Sequence, residues 1–156
     1  TPDDLRGTHA TLPEAIAADG WPTLGELRGK LVFSLLDGGE HRDEYTDGTP
    51  ALEGRVMFAI SGDPAAPFAA MYKIDGVGDG GAAIRERVGQ GFIVTSNADS
   101  ASASDADNQS RFDATMAAGS HFLASDHPGP GGGYQAAIPG GVPPLMPSVN
   151  STSVSG

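Results

Sequence analysis

The segment FIVTSNADSASASDADNQSRFDATMAAGSHFLAS, residues 92–125, carries both periodicities from which α/β folds are built. FIVTSNAD (92–99) is an apolar run of strand length with β-branched residues at its centre. DNQSRFDATMAAGS (107–120) places Phe112, Met116 and Ala117 on one face at helical spacing, and Gly119 closes it. HFLAS (121–125) is a second apolar run, expected as a buried strand. Strand, helix, strand in this order reads as a βαβ unit, which implies parallel strands joined by a right-handed crossover. The polar stretch between the first strand and the helix reads as a loop whose last acids sit beside a helix amino terminus.

Working towards the amino terminus, the same grammar continues. GAAIRERVGQG (81–91) has Ile84 and Val88 at i and i+4 and stops at Gly89 or Gly91. PFAAMYKID (67–75), RVMFAIS (55–61) and KLVFSLLDG (30–38) are further apolar runs that end in polar residues. Uninterrupted runs of this kind suit strands buried on both faces of a parallel sheet. TLPEAIAADG (11–20) is a short helix with Leu12, Ala15 and Ile16 inward. WPTLGELRG (21–29) is a second helical piece, with Pro22 in its first turn and Leu24 and Leu27 towards a core. No repeat of fixed period is present.

Five parallel strands fit an open doubly wound sheet, and they also fit part of an eight-stranded barrel. A complete barrel needs about 250 residues, so five of its eight units need about 156. The expected fold is α/β, a TIM-type barrel present as an incomplete set of about five strands over residues 1–128. Residues 129–156 have no periodicity and are rich in Pro and Gly. They are expected as a tail packed in part on the barrel through Tyr134 and Ile138.

Composition narrows the function. Twenty acids against nine bases leave a net charge of −11, which repels nucleic-acid backbones and anionic bilayers. Nucleic acid is therefore not an expected partner, and membrane contact is at most peripheral. No apolar run reaches the length of a membrane span. The absence of cysteine excludes disulfides and thiolate metal sites.

Sites in parallel α/β folds lie beyond the carboxyl ends of the strands. Those ends carry Asp37, Ser61 with Asp63, Lys73 with Asp75, Asn97 with Asp99, and Asp126 with His127. Carboxylates and amide oxygens suit hard cations, and a lysine suits a phosphate. For each acid alone, a turn or helix-cap role is the commoner one. Lys73 leaves the core directly after FAAMY, and His127 lies at the site end of its strand. His121 lies at the opposite end of that strand, where a structural role is expected. His9 and His41 have no ligand partner at metal spacing. DGVGDGG (75–81) lacks the spacing of a dinucleotide or Walker loop, GPGGG (129–133) precedes no helix, and Ser96 has no nucleophile elbow.

Four blocks in order, DGWPTLGELRGKLVFSLLD, LEGRVMFAI, GFIVTSNAD and RFDATMAAGSHFLASDHP, resemble the calcium-dependent phosphatidylinositol-specific phospholipase C family, one of the PLC-like phosphodiesterases. YQAAIPGG (134–141) extends the likeness towards the carboxyl end. The resemblance implies a secreted α/β-barrel enzyme. Such an enzyme cleaves an inositol phospholipid by attack of the inositol 2-hydroxyl, with two histidines as base and acid and Ca²⁺ beside the phosphate. It also implies that those histidines and most calcium ligands lie on strands preceding Thr1. The chain is then expected to be the carboxyl-terminal part, inactive alone and partnered by the missing amino-terminal part of the barrel. Lys73, Asn97, Asp99, Asp126 and His127 are the substrate-binding candidates. The family's Arg-Thr-Arg-Ala-Asp run is Thr95-Ser96-Asn97-Ala98-Asp99 here, which removes two cations. Its Asp-Tyr-Pro is Asp126-His127-Pro128. Two alternatives remain: a glycerophosphodiester phosphodiesterase of the same superfamily, and a non-catalytic acidic domain that binds a ligand.

Overall fold

A computed structural model describes residues 1–127 and 133–138. The chain is α/β, with its strands paired in parallel in two small sheets. The elements are α1 (Pro2–Arg6), α2 (Leu12–Asp19), β1 (Ser34–Leu35), α3 (Glu40–Thr46), β2 (Phe58–Ala59), β3 (Met71–Lys73), α4 (Ala82–Gly89), β4 (Ile93–Asn97), α5 (Asp105–Ala117) and β5 (Phe122–Ala124). All five apolar runs contain a strand, each shorter than its run. Two compact units are present, one of residues 1–73 and 90–93, the other of residues 74–89 and 94 onward. The expected tail at 129–156 falls largely outside the described residues. Among the described residues no helix is long and apolar enough to cross a membrane.

In the first unit α2 starts where the Thr11 hydroxyl accepts the Glu14 N–H, and it stops at Gly20, whose φ of 74° suits glycine. Leu12, Ala15 and Ile16 are buried, as their spacing requires. Trp21 packs on Phe58 with ring centroids 5.4 Å apart, and its Nε1–H donates to the Gly91 carbonyl at 3.0 Å. Ser34 pairs with Phe58 and Leu35 with Ala59. Ile60 then bridges Met71 in parallel, and Ile93 N–H donates to Ala70 O at 3.0 Å. Each strand in this unit therefore lies beside the next in the chain.

Two expectations fail in this unit. Residues 30–38 are not a strand buried on both faces: Leu31 is 80% exposed, Phe33 55% and Leu36 55%. An apolar run permits burial but does not supply the layers that cover it. Residues 21–29 form turns rather than a helix, and Leu24 is exposed. Thr23 and Glu26 make a reciprocal cap, with Thr23 N–H to Glu26 Oε2 at 2.8 Å and Glu26 N–H to Thr23 Oγ1 at 3.3 Å. Gly25 and Gly29 prevent that nucleus from propagating.

The second unit holds the βαβ core. β4 and β5 are parallel, with Thr95 opposite Phe122, Ser96 opposite Leu123 and Asn97 opposite Ala124. Ile74 N–H donates to Thr95 O at 3.0 Å. α4 buries Ile84 and Val88 as expected, and the Asp79 carboxylate caps its start by accepting the N–H groups of Gly81 and Ala83. α5 buries Asn108, Phe112 and Thr115, while Met116 is half-buried and Ala117 exposed. Polar residues hold part of its inward face, so apolar spacing alone misplaces that face. β5 is also more open than expected, with Phe122 61% exposed. It has β4 on one side and no further described strand on the other.

Candidate functional site

The carboxyl ends of β4 and β5 are tied to each other through carboxylates. Asp99, two residues beyond β4, is 2% exposed. Its Oδ2 accepts the Ser125 hydroxyl at 2.5 Å and its Oδ1 accepts the Asp126 N–H at 2.7 Å. His127 Nδ1 lies 3.5 Å from Asp99 Oδ1, an ion-pair distance rather than a hydrogen bond. Burial pushes the Asp99 carboxyl up, but the Ser125 hydroxyl, the Asp126 N–H and His127 together outweigh it. The net position is below the usual carboxylate range. Asp126 returns the tie, its Oδ2 accepting the Ala101 N–H at 3.1 Å. The His127 ring meets Tyr134 edge-on, with centroids 5.4 Å apart.

Asn97 belongs to a second knot in the same unit. Its N–H donates to Asp75 Oδ1 at 3.0 Å, and its carbonyl accepts Arg111 Nε–H at 3.3 Å. Arg111 reaches from α5 and also donates through Nη2 to the Asp75 carbonyl at 2.5 Å. An open cleft of about 410 Å³ lies here, lined by Asp75, Gly76, Gly78, Asp107, Ser110 and Arg111. Sequence reasoning missed Arg111. Nothing in its neighbours announces a side chain that bonds to carbonyls 14 and 36 residues away.

The five candidates are thus distributed unequally. Asp99, Asp126 and His127 share one network, and Asn97 sits in the adjoining knot. Lys73 ends β3 in the first unit with an exposed side chain. Other strand-end residues in that unit serve local turns. Ser61 and Asp63 bond to each other, and Asp37 accepts the Gly39 N–H. His121 is structural, its Nδ1 accepting the Val94 N–H at 3.2 Å. His9 pairs with Asp19 at 2.9 Å, away from any strand end.

What the second-unit rim offers chemically is one imidazole, one guanidinium and several carboxylates whose oxygens already accept bonds from the chain. Among the described residues no three His, Cys, Asp or Glu side chains gather as a metal site would require. No curated protein and no solved structure gives a significant match to the chain. A family model described as phosphoinositide phospholipase C, Ca²⁺-dependent, matches residues 1–142.

Proposed function

The chain belongs to the calcium-dependent phosphoinositide phospholipase C family, and from that membership we propose that it serves the cleavage of a phosphoinositide or a closely related phosphodiester. The observation that carries the reading is the family match across residues 1–142. The order of the strands supports it. Within the first unit β1 lies beside β2 and Ile60 bridges Met71, and within the second β4 lies beside β5, each in chain order. A doubly wound sheet reverses its order at a switch point, whereas a (β/α) barrel keeps consecutive strands adjacent. We read these strands as part of such a barrel.

In this reading Lys73 meets a substrate phosphate as a point charge. Asn97 and Asp126 shape the polyol, Asp99 orders the rim, and His127 stands on that rim within reach of substrate. The family is described as calcium-dependent, and calcium takes six to eight oxygen ligands. The described carboxylates do not fit that demand. Asp99 accepts from Ser125 and Asp126, Asp126 accepts from Ala101, and no group of three ligands is present among the described residues. Neither metal ligands nor an acid–base histidine pair is therefore assigned among the described residues. The roles proposed for Lys73 and the rim do not depend on them.

The test is phosphatidylinositol turnover by the gene product that contains this chain, with and without a calcium chelator. Calcium-dependent release of inositol phosphate is the expected result. Faster turnover of glycerophosphoinositol than of the intact lipid would move the assignment to a glycerophosphodiester phosphodiesterase. A second reading, ligand binding without turnover, is favoured by one observation. With His121 committed to Val94, His127 is the remaining imidazole on β5 or its ends, and acid–base cleavage needs two. Binding of inositol phosphate without turnover would select that reading.

A further inference from the structure

His127 is held more firmly than a turn residue requires. Its backbone N–H donates to Ser125 Oγ at 3.0 Å, and that hydroxyl donates to Asp99. Its Nδ1 is buried facing Asp99, yet the side chain keeps 27% of its surface exposed. Tyr134 closes a further side of the ring. With Nδ1 turned to that carboxylate, Nε2 is the ring nitrogen left for a partner outside the pair.

The chemistry follows from that division. A buried carboxylate beside an imidazole decides which nitrogen keeps the proton in the neutral ring. With Nδ1 facing the Asp99 carboxylate at 3.5 Å, the proton of the neutral ring is placed on Nδ1, which leaves Nε2 for an outside partner. Charged, it donates a hydrogen bond; neutral, it accepts one. Asp99 from the β4–α5 loop and Tyr134 from the carboxyl-terminal segment face this ring. Asp105 and Asp113 of α5 approach through Gly133 and Tyr134. All are acidic or phenolic, so an anion reaching this rim meets attraction from His127 only when Nε2 carries its proton.

We propose that His127 is a phosphate-contacting residue acting through Nε2, and that Asp99 is its positioning residue, fixing the Nδ1–H tautomer without touching the ligand. For its ligand class this rests on the phosphodiester reading above. Ser125 holds the backbone of His127 and the Asp99 oxygen at the same time. Asp126, bonded to Ala101, keeps the two loops in register.

The experiment is ring-resolved ¹⁵N NMR of the full chain, titrated with inorganic phosphate and with myo-inositol 1-phosphate. Spectra at about pH 5.5 and about pH 8 bracket the ordinary imidazole range. At the higher pH the wild-type ring should show the Nδ1–H tautomer. Asp99→Asn should erase that preference, Asp99→Glu should restore part of it, and Ser125→Ala should retain it. At the lower pH phosphate should move the Nε2 resonance, and His127→Gln should weaken inositol phosphate binding by about tenfold or more. An Nε2–H tautomer in the wild type overturns the positioning role. Unchanged affinity in His127→Gln overturns the contact. If Asp99→Asn does not fold, the wild-type tautomer and His127→Gln still decide. Failure of lipid turnover in the parent, with both NMR results intact, would remove the enzymatic reading and leave this site standing.

Discussion

His121 and His127 stand six positions apart in one segment and do opposite work. His121 accepts the Val94 N–H on Nδ1, and its burial pushes its pKa down. Val94 is fully buried, and replacing His121 by Phe leaves its N–H without that acceptor. A loss of about 1–3 kcal/mol is expected from urea unfolding. The pH dependence has a definite sign. A depressed folded pKa means the unfolded chain binds more protons, so the His121 contribution is full above about pH 6.5 and is lost as pH falls through the folded value. In His121→Phe that part of the slope should disappear. A slope unchanged in the variant would assign it elsewhere. At this scale the sequence gives residue types and strand ends, which suffice to separate His121 from His127 by position. They do not reveal that Asp99 faces inward or that Arg111 spans to Asn97 and Asp75, because both depend on partners distant in the chain.

At the scale of elements, the βαβ unit at 92–125 is legible because its pattern changes from strand to helix period and back within one stretch. Its inward helix face is less so. Asn108 bonds to the Ser100 backbone through both ends of its amide, N–H to Oδ1 at 2.9 Å and Nδ2 to O at 3.1 Å, and Thr115 donates to Arg111 O at 2.7 Å. Buried polar residues satisfied in this way are invisible to a hydrophobic pattern. The residue before α4 and the residue after α5 approach closely through one glycine. Gly81 has φ 78°, and a Cβ there would lie 2.6 Å from Ala118 Cβ. Gly81→Ala combines a left-handed backbone with a steric overlap, and a loss of about 2 kcal/mol or more is expected in thermal or urea unfolding. A neutral effect would mean that Ala118 moves aside at little cost.

For the whole molecule, the long apolar run at 30–38 pointed to burial that the described residues do not provide. Leu31, Val32, Phe33 and Leu36 flank the two-residue strand Ser34–Leu35, and all four are exposed. Such a strand is a template for pairing with another chain. Leu31→Lys with Phe33→Lys is expected to reduce concentration-dependent self-association in sedimentation velocity. The substituted positions lie outside the α2 core, so the melting temperature should change little. A wild-type chain that stays monomeric at high concentration would count against this surface being sticky. The sequence reveals that such residues exist; whether a layer covers them depends on neighbours that periodicity does not specify.

Trp21 is the chain's sole tryptophan, seated on Phe58 and bonded to Gly91 within the first unit. Its emission is therefore a local reporter. A fluorescence melt reads the seating of that indole on Phe58, and the rim that carries Asp99 and His127 has no indole of its own. Any assay of that rim by intrinsic fluorescence needs a second indole, placed by substitution beyond residue 94.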